Sequence, residues 1–259
     1  MSLLFSDPQA PTATAEELIA AMDAAEVDMA VILGMGWTDQ ETARQSNDYL
    51  LESAARYPRR LVPFCSVNPA WGDVASREVE RCAAAGAKGV GELHPDTQGF
   101  DLRDPKVMDP FMAVMQAHSL ILLTHSSEPV GHTYPGKGSV TPTVLMGFIE
   151  RYQDVSIVCA HWGGGLPFYS LMPEVHAALG HVYFDSAASP FLYRATIFSS
   201  VSQIARPGSL LFGSDYPLVK PERIIRHIRA ASISVAEKEA ILGGNAARLL
   251  GIAGEGRDG

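Results

Sequence analysis

Four short apolar segments of the 259-residue chain each end at a side chain that can bind a metal ion. They end at Glu92, His125, His161 and Asp215, and each is soon followed by residues typical of turns. Carboxylate oxygens and imidazole nitrogens are the ligands that zinc and similar divalent metals use in proteins. If the segments are parallel strands of one barrel, their ends lie at one rim, and the four side chains converge on one point.

Helical and strand-like patterns alternate along the chain. Seven segments have the length and β-branched content of strands, and they cover residues 29–34, 61–67, 87–93, 120–125, 155–161, 181–185 and 210–215. Helical patterns cover about residues 14–26, 40–57, 73–85, 105–118, 141–152, 167–179, 191–205, 221–231 and 235–250. Strands separated by helices pair in parallel through right-handed crossovers. The pattern predicts an α/β fold, with residues 1–259 as a single TIM-type (β/α)8 barrel domain.

The predicted barrel is one strand short. Residues 2–5 (Ser-Leu-Leu-Phe) are the candidate for a short first strand; otherwise this strand is missing and the barrel is closed in another way, for example by a partner chain. An open, doubly wound sheet is the alternative fold, because periodicity alone does not separate open from closed parallel sheets. Strand-end ligands on several different strands favour the barrel.

The composition indicates a soluble protein that acts on a small molecule. Hydrophobic residues make up 47% of the chain and charged residues 19%, and no apolar run approaches the roughly 18 residues of a membrane helix. The formal net charge is −9, and no cluster of Lys and Arg offers a surface for nucleic acid. We expect a small-molecule substrate, no nucleic-acid or membrane partner, and a homo-oligomer if the barrel edge is incomplete.

The number and surroundings of the cysteines indicate which cellular compartment the protein occupies. Cys65, Cys82 and Cys159 are odd in number and lie in apolar surroundings, which indicates buried thiols rather than disulfides. The N-terminal residues have neither the basic nor the long apolar region of a secretory signal. We therefore expect a cytoplasmic protein.

Three motifs resemble the amidohydrolase superfamily, specifically the amidohydrolase-related branch that includes aminocarboxymuconate-semialdehyde decarboxylase and several lactone hydrolases. They are THSSEP around His125, AHWGGGLPF around His161 and LFGSDYP around Asp215, and the terminal GGNAARLLGI resembles the family's closing helix. The resemblance covers about residues 14–252. It implies a (β/α)8 barrel that holds a divalent metal, usually zinc, which activates water or polarises a substrate oxygen.

The resemblance also implies roles for the strand-end residues. His125 is similar in position to the metal-ligating histidine after the family's fifth strand. His161 is similar to the histidine after the sixth strand, which tends to hold the metal-bound water or the substrate. Asp215 is similar to the aspartate after the eighth strand, which is both metal ligand and proton acceptor. We therefore expect His161 and Asp215 to be catalytic.

The chain departs from the family at the first strand, which normally ends in His-x-His and supplies two metal ligands. No histidine precedes His94, so the metal site is incomplete, rebuilt, or encoded in part upstream of the given start. Glu92 is the candidate replacement, because with His125 and Asp215 it gives the three protein ligands of a catalytic zinc site. A deoxyribonuclease-like branch is similar in having a strand-end Glu ligand. Lys88, resembling a modified lysine of some relatives, lies early in the strand and is the second choice.

Substrate contacts are expected around the same rim. The candidate residues are His94, Glu128, His132, Tyr134, Lys137 and Trp162. Those in the loop after His125 either bind a carboxylate or phosphate of the substrate or are solvated loop residues. Asp185, at the end of a predicted strand, either orients a neighbouring group or caps a helix.

Three functions fit these residues. The main prediction is metal-dependent hydrolysis of a small ester, lactone or amide, in which Asp215 accepts a proton from metal-bound water and His161 stabilises developing charge. The resemblance implies an alternative, non-oxidative decarboxylation of a small unsaturated or aromatic acid, in which a protonated histidine or aspartic acid delivers a proton to carbon. The absence of His-x-His motivates a third, a non-catalytic barrel that has lost its metal site.

Overall fold

Seven strands form one parallel sheet in the computed structural model, which describes residues 12–252. The strands are β1 (Ala30–Leu33), β2 (Leu61–Cys65), β3 (Gly89–Leu93), β4 (Ile121–Thr124), β5 (Ile157–Cys159), β6 (Val182–Asp185) and β7 (Leu210–Leu211). Each strand pairs with the next one along the chain, so the spatial order is the sequence order. All seven predicted strands are therefore confirmed, together with their parallel pairing.

Helices connect successive strands, as parallel pairing requires. They are α1 (Ala15–Ala25), α2 (Gln40–Arg56), α3 (Asp73–Ala84), α4 (Pro95–Gln98), α5 (Pro105–Ala117), α6 (Pro142–Arg151), α7 (Ala160–Gly163), α8 (Pro173–Ala178), α9 (Ser189–Leu192), α10 (Ile197–Ile204), α11 (Pro221–Ala230), α12 (Val235–Glu239) and α13 (Asn245–Leu249). The 3-10 segments are Pro69–Trp71, Leu166–Leu171 and Leu179–His181, and Ala240–Gly244 is π-helical. This architecture is that of a TIM-type barrel and confirms the predicted fold class.

Local sequence signals explain where several helices begin. Thr14 caps α1 through a capping box with Glu17, as its position before the acidic first turn predicts. The helix predicted over residues 167–179 is interrupted at Met172, which is extended (φ −86°, ψ 120°) because Pro173 follows it. The chain therefore turns there, and a new helix starts at the proline.

The two edges of the sheet are β1 and β7, which do not pair with each other in the described part of the chain. Residues 2–5, the candidate first strand, lie outside the described residues. The C-terminal segment packs on β7: the Asn245 side chain donates a hydrogen bond to the Leu210 carbonyl at 2.7 Å, and the Phe212 N–H donates to the Ile241 carbonyl at 3.0 Å. These bonds position the strand that leads to Asp215.

Alternate residues of the strands build two apolar layers. The barrel interior contains Val62, Phe64, Ile121, Val158 and Leu211, which pack against one another and against Leu249 and Leu250. The layer beneath the helices includes Val90, Leu122, Ile157 and Val182. The three cysteines are buried free thiols, as predicted. In residues 12–252 we find no helix with both the length and the apolar content needed to span a bilayer.

Candidate metal centre and active site

Three predicted site residues meet at the carboxyl ends of β3, β4 and β5. A ligand atom from each of Glu92, His125 and His161 lies within 4.8 Å of the other two. Glu92 Oε1 is 2.9 Å from His125 Nδ1 and 3.4 Å from His161 Nε2. All three side chains are at most 16% exposed. One carboxylate and two imidazoles at these distances form a group that can hold a divalent metal ion; we call these three residues the metal group.

A β-bulge directs Glu92 towards the two histidines. The register between β3 and β4 shifts between Val90 and Leu93. Gly91 allows the shift, because its φ is 154° and a Cβ there would lie 2.5 Å from the carbonyl oxygen of Leu123. Bulges of this kind re-aim a side chain at an active site. Gly91, the second glycine of the Gly-Val-Gly-Glu segment, is therefore the residue that permits the bulge.

The turn after β5 holds His161 in an unusual backbone conformation. His161 and Trp162 have φ values of 54° and 61°, in the left-handed region that residues other than glycine rarely adopt. The His161 N–H donates to Asp185 Oδ1 at 3.0 Å, and His161 Nδ1 donates to the Ala187 carbonyl at 3.2 Å. With Nδ1 engaged in this way, Nε2 is the ring atom that faces Glu92. Asp185 therefore orients a neighbouring group, one of its two predicted roles.

The members of the metal group shift one another's pKa values. Burial acts to lower the pKa of His161. Glu92 outweighs this effect, through its hydrogen bond and its negative charge, and the pKa of His161 is raised to about 10. Burial would raise the pKa of Glu92, yet His125 and His161 hold it well below its usual value. Without a metal ion, His161 is therefore an imidazolium beside a carboxylate, and a metal ion must displace its Nε2 proton.

We expect metal binding at this group to strengthen as pH rises. Because the pKa of His161 is about 10, its Nε2 proton is present at neutral pH and must be released when a metal binds. The dissociation constant should then fall by up to about tenfold for each pH unit below that pKa. Titration of Zn²⁺ or Mn²⁺ into metal-free protein across the neutral range measures the slope. A dissociation constant independent of pH would show that His161 is not a ligand.

Ser127 links His125 to the loop that follows His161. Ser127 Oγ lies 3.3 Å from His125 Nε2 and accepts a hydrogen bond from the Gly138 N–H at 2.9 Å. The glycines after Trp162 let the two loops pass closely, since a Cβ at Gly164 would lie 2.2 Å from the Ser127 carbonyl oxygen. Backbone contact at Gly164 thus couples the two segments that carry the histidines.

Replacing Gly164 by alanine is expected to destabilise the protein by at least about 2 kcal/mol. Gly164 has a φ of 58°, and its added Cβ would meet the backbone of Ser127 rather than a flexible side chain. Gly180→Ala is the matched control, because no atom lies within 4 Å of its Cβ position. Urea unfolding of both variants measures the difference. Equal stability would contradict this account of the loop packing.

His94 lies directly against the metal group. Its ring stacks on His125 with centroids 3.9 Å apart and an interplanar angle of 23°, and its Nε2 is 4.0 Å from Glu92 Oε1. Burial and the positive charge of His125 lower the pKa of His94 to about 4, so its ring is neutral at neutral pH. A neutral imidazole in this position is suited to contact a substrate or to add a further metal ligand.

Asp215 lies outside the metal group, although its position at a strand end predicted it as the third ligand. The structure places His161 in the group instead. Burial raises the pKa of Asp215, and the charge of His161 only partly offsets the increase. Asp215 has a φ of 64°, as expected for a turn residue held at a functional site. Asp215 is thus a buried carboxyl group that interacts with the charges of the metal group, and both its catalytic role and its ligand role stay predictions.

The four candidate loop residues share one cavity of about 300 Å³. Its walls include Glu128, His132, Tyr134, Lys137, Gly165, Phe168 and Tyr193. Tyr134 Oη donates to Glu128 Oε2 at 2.9 Å, and Lys137 Nζ donates to the carbonyls of Val130 and His132 at 2.7 and 3.0 Å. The segments that continue from His125 and His161 both line this cavity, through Glu128 and Gly164, whereas no member of the metal group is among its lining residues.

Two other predicted residues lie away from the cavity. Trp162 is 1% exposed, its indole N–H donates to Ser189 Oγ at 2.6 Å, and its ring packs edge-on against Phe198. Packing is therefore the role that its surroundings support, rather than substrate contact. Lys88 precedes β3 and lines a separate cavity at the start of the strands with Ser156. It is thus at the opposite end of the barrel from the metal group and cannot ligate the same ion.

Sequence reasoning missed residues that hold the centre in place. Gln98 Oε1 accepts a hydrogen bond from the His94 N–H at 2.8 Å, and its Nε2 donates to the Val67 carbonyl at 3.0 Å. The usable signals were the position of Gln98 one helical turn after His94 and that of Ser127 two residues after His125. Tyr193 carried no signal, because only the folded loop brings it to the cavity.

The chain is similar to known proteins in both sequence and structure. The sequence model of the family described as amidohydrolase matches residues 7–252. Gamma-resorcylate decarboxylase from Polaromonas sp. (strain JS666) is 26% identical over an alignment of 252 positions, which covers 81% of this chain and 76% of the relative. The crystal structure of 5-carboxyvanillate decarboxylase LigW from Sphingomonas paucimobilis superposes with a TM-score of 0.78 at 21% identity, covering 95% of this chain and 87% of that one.

A third related structure contains a bound metal ion. Dihydroxybenzoic acid decarboxylase from Polaromonas sp. JS666, crystallised with manganese and the inhibitor 2-nitroresorcinol, superposes with a TM-score of 0.72 at 19% identity and covers 95% of this chain and 86% of that one. These relatives are named decarboxylases, so hydrolysis as the main prediction is wrong. The prediction was wrong because the same kind of metal site can support both hydrolysis and decarboxylation. Matched by the family model over residues 7–252, the chain belongs to the amidohydrolase family.

Proposed function

We propose that the protein is a metal-dependent decarboxylase of a hydroxybenzoate-type aromatic acid. The observation that carries the proposal is the metal group at the strand ends of a chain whose relatives are decarboxylases by name. Gamma-resorcylate, 5-carboxyvanillate and dihydroxybenzoic acid are all aromatic acids. A cavity of about 300 Å³ with walls of Phe168, Tyr134 and Tyr193 is suited to one substituted ring.

Glu92, His125 and His161 would hold the metal and leave coordination positions free for the substrate. When bound, a divalent ion supplies positive charge that binds the carboxylate of an aromatic acid and its neighbouring oxygen. This nitrogen and oxygen donor set accepts zinc or manganese. We propose manganese rather than the expected zinc, supported by the manganese in the related decarboxylase. Three buried candidate ligands that lie together also argue against a non-catalytic barrel.

Asp215 is the proposed proton donor. Burial raises its pKa, which favours the protonated carboxyl group. The ring carbon that bears the carboxylate takes this proton, the bond between the two carbons breaks, and its electron pair returns to the ring as carbon dioxide leaves. The Asp215 carboxylate then regains a proton from solvent. The reaction needs no oxidant or other co-reactant.

A paired screen tests the proposed reaction class. Manganese-loaded protein is incubated with 2,6-dihydroxybenzoate and, separately, with the methyl ester of the same acid. We expect carbon dioxide and the decarboxylated phenol from the acid, and no cleavage of the ester. Ester cleavage without carbon dioxide from this acid or its hydroxybenzoate isomers would overturn the proposal.

A further inference from the structure

We propose that the protein forms a homodimer through an apolar patch on the rim of the barrel. Six large apolar residues of this patch are between 44% and 75% exposed. They belong to the segments that follow β4, β5 and β6, and they are Val130, Phe168, Tyr169, Leu171, Met172 and Phe191. We call these six residues the rim patch. The occupant that the rim patch fits is a second copy of this chain.

A short 3-10 segment, Leu166–Leu171, presents four of these side chains to solvent. Residues three apart in a 3-10 helix lie on the same side of it. Pro167 and Ser170 are both buried and mark the side that faces the core. Positions 168 and 171 therefore form one outward row, and positions 169 and 172 continue a second. The outward face of a surface helix is usually polar, whereas all four of these residues are apolar or aromatic.

The rim patch is continuous across the three segments. Val130, Phe168 and Tyr169 line the same cavity of about 300 Å³, and Leu192 is a further wall of this cavity. Leu192 directly follows Phe191 in the chain, and both lie in the helix α9. A second copy seated on the rim patch would therefore also shield the cavity from solvent.

The exposed area of the rim patch matches the needs of a stable dimer. If a fully exposed large side chain has about 200 Å² of surface, the six residues expose roughly 650 Å² per chain and about 1,300 Å² in two copies. Stable protein interfaces bury about 1,200–2,000 Å² in total. The largest apolar patch of a typical monomer is about 300–600 Å². The rim patch is thus larger than a monomer usually leaves exposed.

The chemistry of the rim patch favours a second copy over other partners. None of its six side chains is charged, although the chain has a formal net charge of −9. Two copies can therefore meet here without placing like charges of the patch against each other. Aromatic residues and methionine are enriched in interface cores, and homodimer interfaces are the more apolar ones. A membrane is a poorer match, because anionic lipids attract Lys and Arg and the patch contains neither.

The rim patch is also more accessible than the open edge of the sheet, where an incomplete barrel predicted association. The helices α1, which precedes β1, and α11, which follows β7, pack against each other. Tyr216 Oη lies 3.5 Å from the Glu17 carbonyl oxygen across the same gap. These contacts cover the edge from outside, whereas the rim patch is uncovered in the chain described from residue 12 to residue 252.

Sedimentation velocity of the full chain tests the proposal. Wild-type protein at micromolar concentration should sediment with the mass of two chains. Leu171→Asp should sediment as a single chain, with a dissociation constant at least about a hundredfold higher, because a symmetrical interface would bury the new charge twice. Val235→Asp is the matched control and should stay dimeric. Val235 is 70% exposed, compared with 74% for Leu171, but it lies on α12 outside the rim patch.

Each outcome supports or overturns the proposal. Wild-type protein that sediments as a single chain overturns it, and pelleting of that protein with phosphatidylserine vesicles would assign the patch to a membrane instead. An assembly of any size that persists in Leu171→Asp overturns it too, because the copies would then meet through another face. Dissociation of Val235→Asp as well would show that the effect is not specific to the rim patch, and would also overturn it.

Circular dichroism checks the fold of both variants. If Leu171→Asp does not fold, Val130→Asp replaces it, since Val130 is 75% exposed and belongs to a different segment of the rim patch. None of these measurements uses turnover, so their outcome is independent of the proposed decarboxylation.

Discussion

Replacing Asp215 by asparagine is expected to lower kcat for decarboxylation by about a hundredfold to ten-thousandfold. The amide has nearly the same shape as the carboxyl group but no acidic proton to give to the ring carbon. Burial raises the pKa of Asp215 in the wild-type protein, which favours the protonated carboxyl group. Carbon dioxide release at saturating substrate measures the effect, and KM should change much less than kcat.

Asp154→Asn is the matched control for this variant. Asp154 is exposed and lies beside the cavity at the start of the strands, so its loss should leave kcat unchanged. Metal analysis of Asp215→Asn separates the two roles predicted for Asp215. Full metal content together with lost turnover would support proton transfer by Asp215. Loss of the metal would show that Asp215 is a ligand. Full turnover would show that the reaction does not need Asp215.

The His125→Ala variant is expected to lose at least about a hundredfold in metal affinity. Changes to groups that merely support a ligand already cost about tenfold to a hundredfold, and His125 lies within the metal group itself. Its removal leaves Glu92 and His161 as an ion pair without the third donor. Dialysis against a fixed metal concentration, followed by mass spectrometry of the metal, measures the loss, and turnover should fall with it.

His176→Ala provides the control for His125→Ala. His176 is exposed on α8, away from the strand ends, so this variant should retain the wild-type metal content. Equal metal content in His125→Ala and wild-type protein would mean that the ion binds elsewhere. Reduced metal content in both variants would point to a general loss of stability instead.

The sequence predicts the strands well because each is a short apolar segment with clear limits. β3, β4 and β5 lie within the predicted strand segments 87–93, 120–125 and 155–161. Once the strands are parallel, the topology brings the ends of these three strands to one rim. The pattern of apolar residues therefore predicts both the fold and the approximate location of the metal group.

The choice between Asp215 and His161 as a member of the metal group could not be read from spacing. It depends on the bulge at Gly91 and on the left-handed conformation of His161, which are set by contacts between neighbouring strands and loops. The same limit applies to Trp162. Its place after His161 predicted a substrate contact, but the turn directs its indole into the core against Phe198.

The pattern of metal-ligand residues in the sequence also did not predict the class of reaction. A metal group with open positions can activate water or bind a substrate carboxylate, so residues that ligate the metal do not distinguish hydrolysis from decarboxylation. The distinction depends on groups around the metal, and the buried Asp215 is the one that we propose as the proton donor. These surroundings depend on loops, whose conformation has little periodic signal in the sequence.

Carbon dioxide release from 2,6-dihydroxybenzoate by the wild-type protein, before and after metal removal, tests the central claim most directly. Manganese-loaded protein should release carbon dioxide and resorcinol in equal amounts, chelated protein should release neither, and added manganese should restore the activity. Undiminished release after complete chelation would contradict the role of Glu92, His125 and His161. No release from this acid or its isomers at full manganese occupancy would contradict decarboxylation itself.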